Sequence, residues 1–210
     1  MGHIPFGNLT IDLSHRTLIP RTETEFWVHE LISSIRNSSL SVPKKVLDIF
    51  AGSGCIGLSI LRAFPESHIT FSDIAPNALA QIQKNVLLND LPLSQVSLIK
   101  SDVFDSISGS FDLIVANPPY IPPERSADLD SSVIDHEPHD ALFAPDSGFE
   151  LVSLVLKQAR DHLMTSGTLY IECDETHAGR ALQDAEACGY KGCKIIHDQF
   201  GTPRVITASC

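Results

Sequence analysis

The feature that most constrains this chain is a glycine-rich turn placed where an apolar strand meets a helix. Val46-Leu47-Asp48-Ile49-Phe50 is a short apolar run, and Ala51-Gly52-Ser53-Gly54-Cys55-Ile56-Gly57 follows it directly. Glycines at 52 and 54 allow a tight turn and let a ligand approach bare backbone. Asp73 closes the next apolar run, Ile69 to Ser72, about twenty residues further on. Strand, glycine turn, helix and a second strand ending in an acid together predict the first unit of an open parallel sheet.

The unit repeats along the chain. Helical patterns run from Cys55 to Phe64, Pro76 to Leu88, Phe149 to Leu163 and Ala178 to Ala187. Further strands are expected at Val96–Ile99, Phe111–Ala116, Thr168–Glu172, Lys194–His197 and Arg204–Thr207. The alternation predicts an α/β fold, a Rossmann-like doubly wound, mostly parallel seven-stranded sheet with an antiparallel edge strand. Ahead of it, Leu9–Leu13 and Thr17–Ile19 are expected to pair as a small β-hairpin across Ser14-His15-Arg16. A helix from Glu23 to Arg36 follows, with Thr22 as N-cap and Glu25 completing a capping box. Residues 1–36 are thus expected to form a hairpin and helix closing over a ligand site, and residues 37–210 the Rossmann-like domain. Pro118 to Phe149 has no regular pattern and is rich in Pro, Asp and His, the mark of a functional loop.

Composition narrows the partners. Over 210 residues the formal net charge is -11, and Lys44-Lys45 is the nearest approach to a basic cluster. A surface that grips phosphates is usually basic, so a protein or small-molecule substrate is favoured over direct contact with nucleic acid. No apolar run approaches the ~20 residues of a bilayer span, so no membrane association is expected. The cysteines, Cys55, Cys173, Cys188, Cys193 and Cys210, include no C-x-x-C pair. They read as free thiols and small apolar side chains in an intracellular, reducing compartment, cytoplasmic or mitochondrial.

The glycine run also fits the dinucleotide fingerprint, which would make the chain a nicotinamide-dependent oxidoreductase. Asp48 weighs against that: a carboxylate at the strand end repels a pyrophosphate and suits the cationic amino-acid end of S-adenosyl-L-methionine. On this reading Phe50, Ala51, Gly52, Ser53 and Gly54 form the cofactor turn, and Asp73 accepts hydrogen bonds from a ribose diol. Asp102, at the end of the third strand, either accepts from an adenine amino group or caps the following turn. Val103 or Phe104 packs on the ring.

The fourth strand runs straight into Asn117-Pro118-Pro119-Tyr120, so these residues sit at a carboxyl strand end, where such folds bind ligands. Their chemistry suits a planar amide or amine nitrogen. The Asn117 side-chain oxygen and the Pro118 carbonyl can accept its two N–H bonds. Both then enrich the nitrogen as positive charge develops. The prolines stiffen the backbone, and Tyr120 offers a ring to pack on the acceptor. Asn117, Pro118 and Tyr120 are the candidate catalytic residues. Pro119 joins them in binding substrate, and Asn117 also borders the cofactor.

With these motifs in view, the chain resembles the HemK/PrmC family, protein-glutamine N5-methyltransferases acting on peptide-chain release factors. The resemblance begins at Pro5-Phe6-Gly7 and Leu18-Ile19-Pro20-Arg21-Thr22-Glu23-Thr24-Glu25. It takes in Asp48 to Gly54, Asp73, Ser101-Asp102 and Asn117 to Tyr120. It ends with His136-Glu137-Pro138, Ala141-Leu142, Ser147-Gly148 and Gly201 to Arg204. It implies a class I methyltransferase that takes S-adenosyl-L-methionine, holds the glutamine of a Gly-Gly-Gln loop at Asn117 to Tyr120, and acts as a monomer. The Arg21 to Glu25 segment would close over the cofactor. Family members usually carry a helical domain before Pro-Phe-Gly, which is expected to be absent here. Thr22 replaces a usual proline, Ala144-Pro145-Asp146 stands where a Gly-Gly pair is common, and an aromatic often found at Val103 is missing. The alternatives are an adenine-N6 methyltransferase on DNA or RNA, which shares the Asn-Pro-Pro-Tyr motif, and an inactive methyltransferase-like binding domain. No metal is expected: the spacing of His136 and His139 matches no ligand pattern, and methyl transfer needs none.

Overall fold

A computed structural model of the chain describes residues 2–37, 41–122, 124–125, 137–144 and 148–210. His136, Pro145, Asp146 and Ser147, named above, lie outside the described residues. Strands β1 (His3–Phe6) and β2 (Leu9–Asp12) form a hairpin and helix α1 (Thr22–Asn37) follows. The alternating part comprises β3 (Lys45–Ile49), α2 (Cys55–Ala63), β4 (His68–Asp73), α3 (Pro76–Leu88), β5 (Val96–Lys100) and β6 (Phe111–Ala116). A short helix α4 (His139–Leu142) precedes α5 (Glu150–Gln158), β7 (Leu163–Glu172), α6 (Ala178–Ala187), β8 (Lys191–His197) and β9 (Pro203–Ser209).

The main sheet has seven strands in the order β5-β4-β3-β6-β7-β9-β8. Strands β3 to β7 pair in parallel, and β9 runs antiparallel to both β7 and β8. Strand order reverses between β3 and β6, which creates a crevice at their carboxyl ends. The central strands are apolar on both faces because helices cover both. One core unites the hairpin and α1 to α3, through Phe6, Ile11, Trp27, Leu58 and Phe71. The other packs α5 and α6 beneath Leu47, Ile49 and Ile114. Residues 2–37 therefore bury their apolar side chains in the same core as the sheet.

The hairpin differs from the sequence expectation. β2 is where it was expected, but its partner is the preceding segment, with Phe6 opposite Leu9. Gly7, at φ +55, takes the first central position of a two-residue turn. Thr17–Ile19 does not pair, because helix α3 occupies the other edge of β2. Asn89 there accepts from the Thr10 amide and donates to its carbonyl, at 2.9 and 2.8 Å. Asn85 does the same for Asp12, at 2.8 and 3.2 Å. Side-chain amides one helical turn apart thus stand in for a neighbouring strand.

The expected capping box does not form either. α1 begins one residue early, with the Arg21 carbonyl accepting from the Glu25 amide. The Glu25 carboxylate instead accepts from the Gly7 amide at 2.8 Å, tying helix to hairpin. The helix expected to reach Leu163 ends at Gln158 in a short 3-10 turn, since Leu163 pairs with Phe111 at the start of β7.

Candidate active site

Strand register brings the sequence motifs into one line. Ile49 pairs with Ser72 on one side and with Ala116 on the other, and Ala116 pairs with Ile171. The next residue of each strand therefore lies on one row across the carboxyl edge: Asp73, Phe50, Asn117 and Glu172. Lys100 continues the row opposite Asp73, and the next residue, Ser101, donates its amide to the Asp73 carbonyl at 3.1 Å. The chain folds this way because four apolar runs of similar length end together, and each connection leaves the sheet at the same edge.

The turn after β3 is held from three directions. The Ala51 amide donates to the Ser72 carbonyl, the Gly54 amide to the Ala51 carbonyl, and Asn85 Nδ2 to the Ser53 carbonyl. Phe50 adopts φ +58 and Gly52 φ +53, left-handed conformations that cost a phenylalanine more than a glycine. Gly57 explains the third glycine: a methyl there would lie 2.4 Å from the Phe71 ring and 2.9 Å from Asp48 Oδ2.

Asp48 shares a strand face with Val46, so it points under α2 and is fully buried. Its Oδ2 accepts from the Gly57 amide at 2.8 Å, while Oδ1 has no partner. Burial, and to a lesser degree the nearby Asp73, push its pKa up to about 8. Asp73 spreads its carboxylate between two amides, Oδ2 on Gly52 and Oδ1 on Ala75, both at 2.9 Å. Burial raises its pKa, against those two bonds.

The turn after β5 is capped by Ser101 rather than by the Asp102 side chain. The Ser101 hydroxyl accepts from the Ser106 amide at 2.9 Å and so caps the turn. The exposed Asp102 side chain has no hydrogen-bond or ion-pair partner among the described residues. Val103 is buried in the left-handed region, φ +42, an unusual conformation for a β-branched residue. Phe104 stacks on His162, centroids 4.9 Å apart, and Val103 and Phe104 are both buried in the core beneath this edge.

After β6, Asn117 is half-buried and Pro118 buried. The Asn117 side chain makes no hydrogen bond among the described residues. Leu18, Arg21, Asn117, Tyr120 and Leu142 line a small pocket of about 40 Å³. Tyr120 donates its phenol to Glu172 Oε1 at 3.2 Å. Burial first, then the Glu172 charge, raise the Tyr120 pKa, so it stays protonated and able to donate.

Comparison with known proteins decides the family. A family model described as "Methyltransferase small domain" matches residues 28–136. The release factor glutamine methyltransferase of Lactococcus lactis subsp. lactis is 36% identical over 209 residues, covering 99% of this chain and 74% of that protein. That of Leptospira interrogans is 36% identical over 203 residues, covering 96% and 70%. The chain belongs to the release factor glutamine methyltransferase family. It is an S-adenosyl-L-methionine-dependent methyltransferase. Its fold is shared more widely. The T. thermophilus 16S rRNA N2 methyltransferase RsmC, in complex with AdoMet and guanosine, superposes with a TM-score of 0.70 at 14% identity, covering 99% of this chain and 49% of that one. A methyltransferase from Pyrococcus furiosus superposes at 0.62 and 16% identity, covering 92% and 87%.

Within this family member, Glu137 of the Pro118 to Phe149 loop turns inward. It is buried, accepting from the Ile19 amide at 3.0 Å and from Arg21 at 2.8 Å. The Ile19-Pro20-Arg21 segment is thereby tied to the loop after β6. Two functional candidates escaped the sequence reading. Glu172 and Asn85 both hold the site from outside its motifs. An acid closing a buried strand was a usable signal for Glu172; no local pattern marks Asn85. Among the described residues no cluster of His, Cys, Asp or Glu is arranged to hold a metal ion, and no helix is long and apolar enough to cross a membrane.

Proposed function

We propose that this chain methylates the side-chain amide nitrogen of a glutamine in a peptide-chain release factor, the glutamine of its Gly-Gly-Gln loop. The observation that carries the reading is the register row itself. It sets the Asn117 amide, unpartnered among the described residues, beside the Phe50 to Gly54 turn, at the switch point of a chain related to release factor glutamine methyltransferases.

The residues present fit the cofactor. The positive-φ turn from Phe50 to Gly54 exposes backbone, the Asp73 oxygens keep lone pairs for ribose hydroxyls, and Asp102 and Val103 border the adenine position. The buried, unpartnered Asp48 Oδ1 is an acceptor suited to a cation, and a nearby positive charge offsets the desolvation of the carboxylate. Bound S-adenosyl-L-methionine supplies an electrophilic methyl group on a sulfonium. Asn117 Oδ1 and the Pro118 carbonyl accept the two amide hydrogens of the glutamine. They orient its lone pair and stabilise the cationic character that develops on nitrogen. Pro118 and Pro119 limit backbone freedom, so little alignment is lost at each turnover. Tyr120 packs on the planar amide. Residues 1–36, anchored through Arg21 and Glu25, close one side of the site. The partner is the protein substrate alone, the enzyme acting as a monomer without contacting nucleic acid.

The test is methyl transfer from labelled cofactor to a release factor and to its loop Gln→Ala variant. Label on the first and none on the second is the expected result. Equal labelling of both would place the acceptor elsewhere.

A further inference from the structure

Glu172 has no role in the chemistry above, yet it is a buried acid at the carboxyl edge whose two oxygens are both partnered. It ends β7 in the same row as Asn117 and is 1% exposed. Its Oε2 accepts from Trp27 Nε1 at 2.6 Å and from Thr24 Oγ1 at 2.8 Å, both on α1. Its Oε1 accepts from the Tyr120 hydroxyl at 3.2 Å. All three partners donate, so an ionised carboxylate satisfies them at once, whereas a neutral acid would turn a hydrogen toward one of them. Among the described residues no cation lies within ion-pair distance of Glu172, and the Arg204 charge that favours its ionised form is itself paired with Asp198, so the group is costly as core filling alone.

What the carboxylate accomplishes follows from the chain between its contacts. Asn117 and Tyr120 are separated by Pro118 and Pro119, whose rings set φ. A short, stiff segment anchored at one end has its other end placed as well. Gly148 braces the same anchor, lying against the Tyr120 carbonyl.

We propose that Glu172 is the positioning residue of the acceptor loop: gripped from α1 by Thr24 and Trp27, it holds the Tyr120 phenol and so fixes where Asn117 presents its side chain. The inference rests on the reading of Asn117 to Tyr120 as the acceptor loop. It makes α1 part of the catalytic apparatus, because a shift of its first turns is passed to Tyr120 through one carboxylate.

Glu172→Gln, Tyr120→Phe and the double variant test it, assayed with labelled cofactor on a release factor. Glutamine keeps an acceptor oxygen for Thr24 and Trp27 and turns its amide toward Tyr120. kcat should fall about ten- to a hundredfold in each single variant, the range of a lost hydrogen bond to a charged group, with little change in KM. The double variant should be no slower than either single one. Affinity for S-adenosylhomocysteine should stay within about twofold, and in Tyr120→Phe the emission of Trp27, the sole tryptophan, should be unchanged. Wild-type kcat in Glu172→Gln, multiplicative losses in the double variant, or a loss of cofactor affinity matching the loss of kcat would overturn the proposal. If the wild-type enzyme itself leaves the release factor unlabelled, the acceptor assignment fails instead. Amide exchange across residues 117–122, with S-adenosylhomocysteine bound, then decides the positioning role. Exchange about tenfold faster in Glu172→Gln supports it, and unchanged exchange overturns it.

Discussion

The α-carbon of Gly148 packs so tightly on the Tyr120 carbonyl that a methyl group at 148 would lie 2.1 Å from the oxygen. Gly148 also adopts φ +81, a conformation open to glycine and strained for other residues. Gly148→Ala therefore meets two penalties, backbone strain and overpacking against a main chain that two prolines hold stiff. The variant should lose about 2–4 kcal/mol of stability. Activity should fall further than that loss explains, because Tyr120 is displaced. Denaturant unfolding and steady-state turnover on the same preparation separate the two effects.

Asp73→Ala should leave the fold intact and weaken S-adenosylhomocysteine binding by about one to two orders of magnitude, as expected when hydroxyls lose a charged acceptor. The carboxylate also organises the Gly52 and Ala75 amides. Asp73→Asn, which keeps one acceptor oxygen, should therefore bind more tightly than the alanine variant. Calorimetric titration checks both. An unchanged dissociation constant in Asp73→Ala would remove the residue from the ribose site.

Asn117→Ala separates chemistry from binding. Its side chain forms no hydrogen bond among the described residues, so removing it leaves no protein group orphaned. Turnover should fall on the order of a hundredfold, the usual cost of one oriented transition-state acceptor, with cofactor affinity kept. Asn117→Asp keeps an acceptor but adds a charge at the site of the sulfonium. Turnover should fall there too, with cofactor affinity kept or raised. Wild-type turnover in Asn117→Ala would reduce the segment to a rigid turn.

Asp48 predicts a pH dependence of stability. Burial lifts its folded-state pKa to about 8, above the ordinary carboxylate value near ~4. Between those values the folded protein holds a proton that the unfolded chain has released. Its contribution is complete below pH ~4 and is lost as the pH rises toward 8. Asp48→Asn carries no such proton. Its melting temperature should decline less than that of the wild type between pH 5 and pH 8.5, roughly the upper part of that window. Parallel pH profiles in scanning calorimetry would exclude Asp48 as a titrating group.

The sheet, its helices and the two motif-bearing turns were legible in the amino-acid sequence, because each depends on residues near one another in the chain. Apolar runs buried on both faces mark strands, and Gly52, Gly54 and Gly57 mark a turn that little else can make. The family resemblance rested on the same local strings and held. The contacts that organise those strings were not legible. Asn85 reads as an ordinary polar helix position and Asn89 as the residue just past the helix, but they complete the edge of β2 and so decide which segment Leu9–Asp12 pairs with. Glu25 suited a capping box, yet the Gly7 amide lies within its reach and takes it. Glu137 lies 116 residues from Arg21 in the chain and bonds to it across the site entrance. Glu172 read only as the last residue of a strand. Local propensity and spacing are properties of the chain itself. Where a buried donor or acceptor finds its partner depends on which surfaces folding brings together, and that was decided by tertiary structure alone.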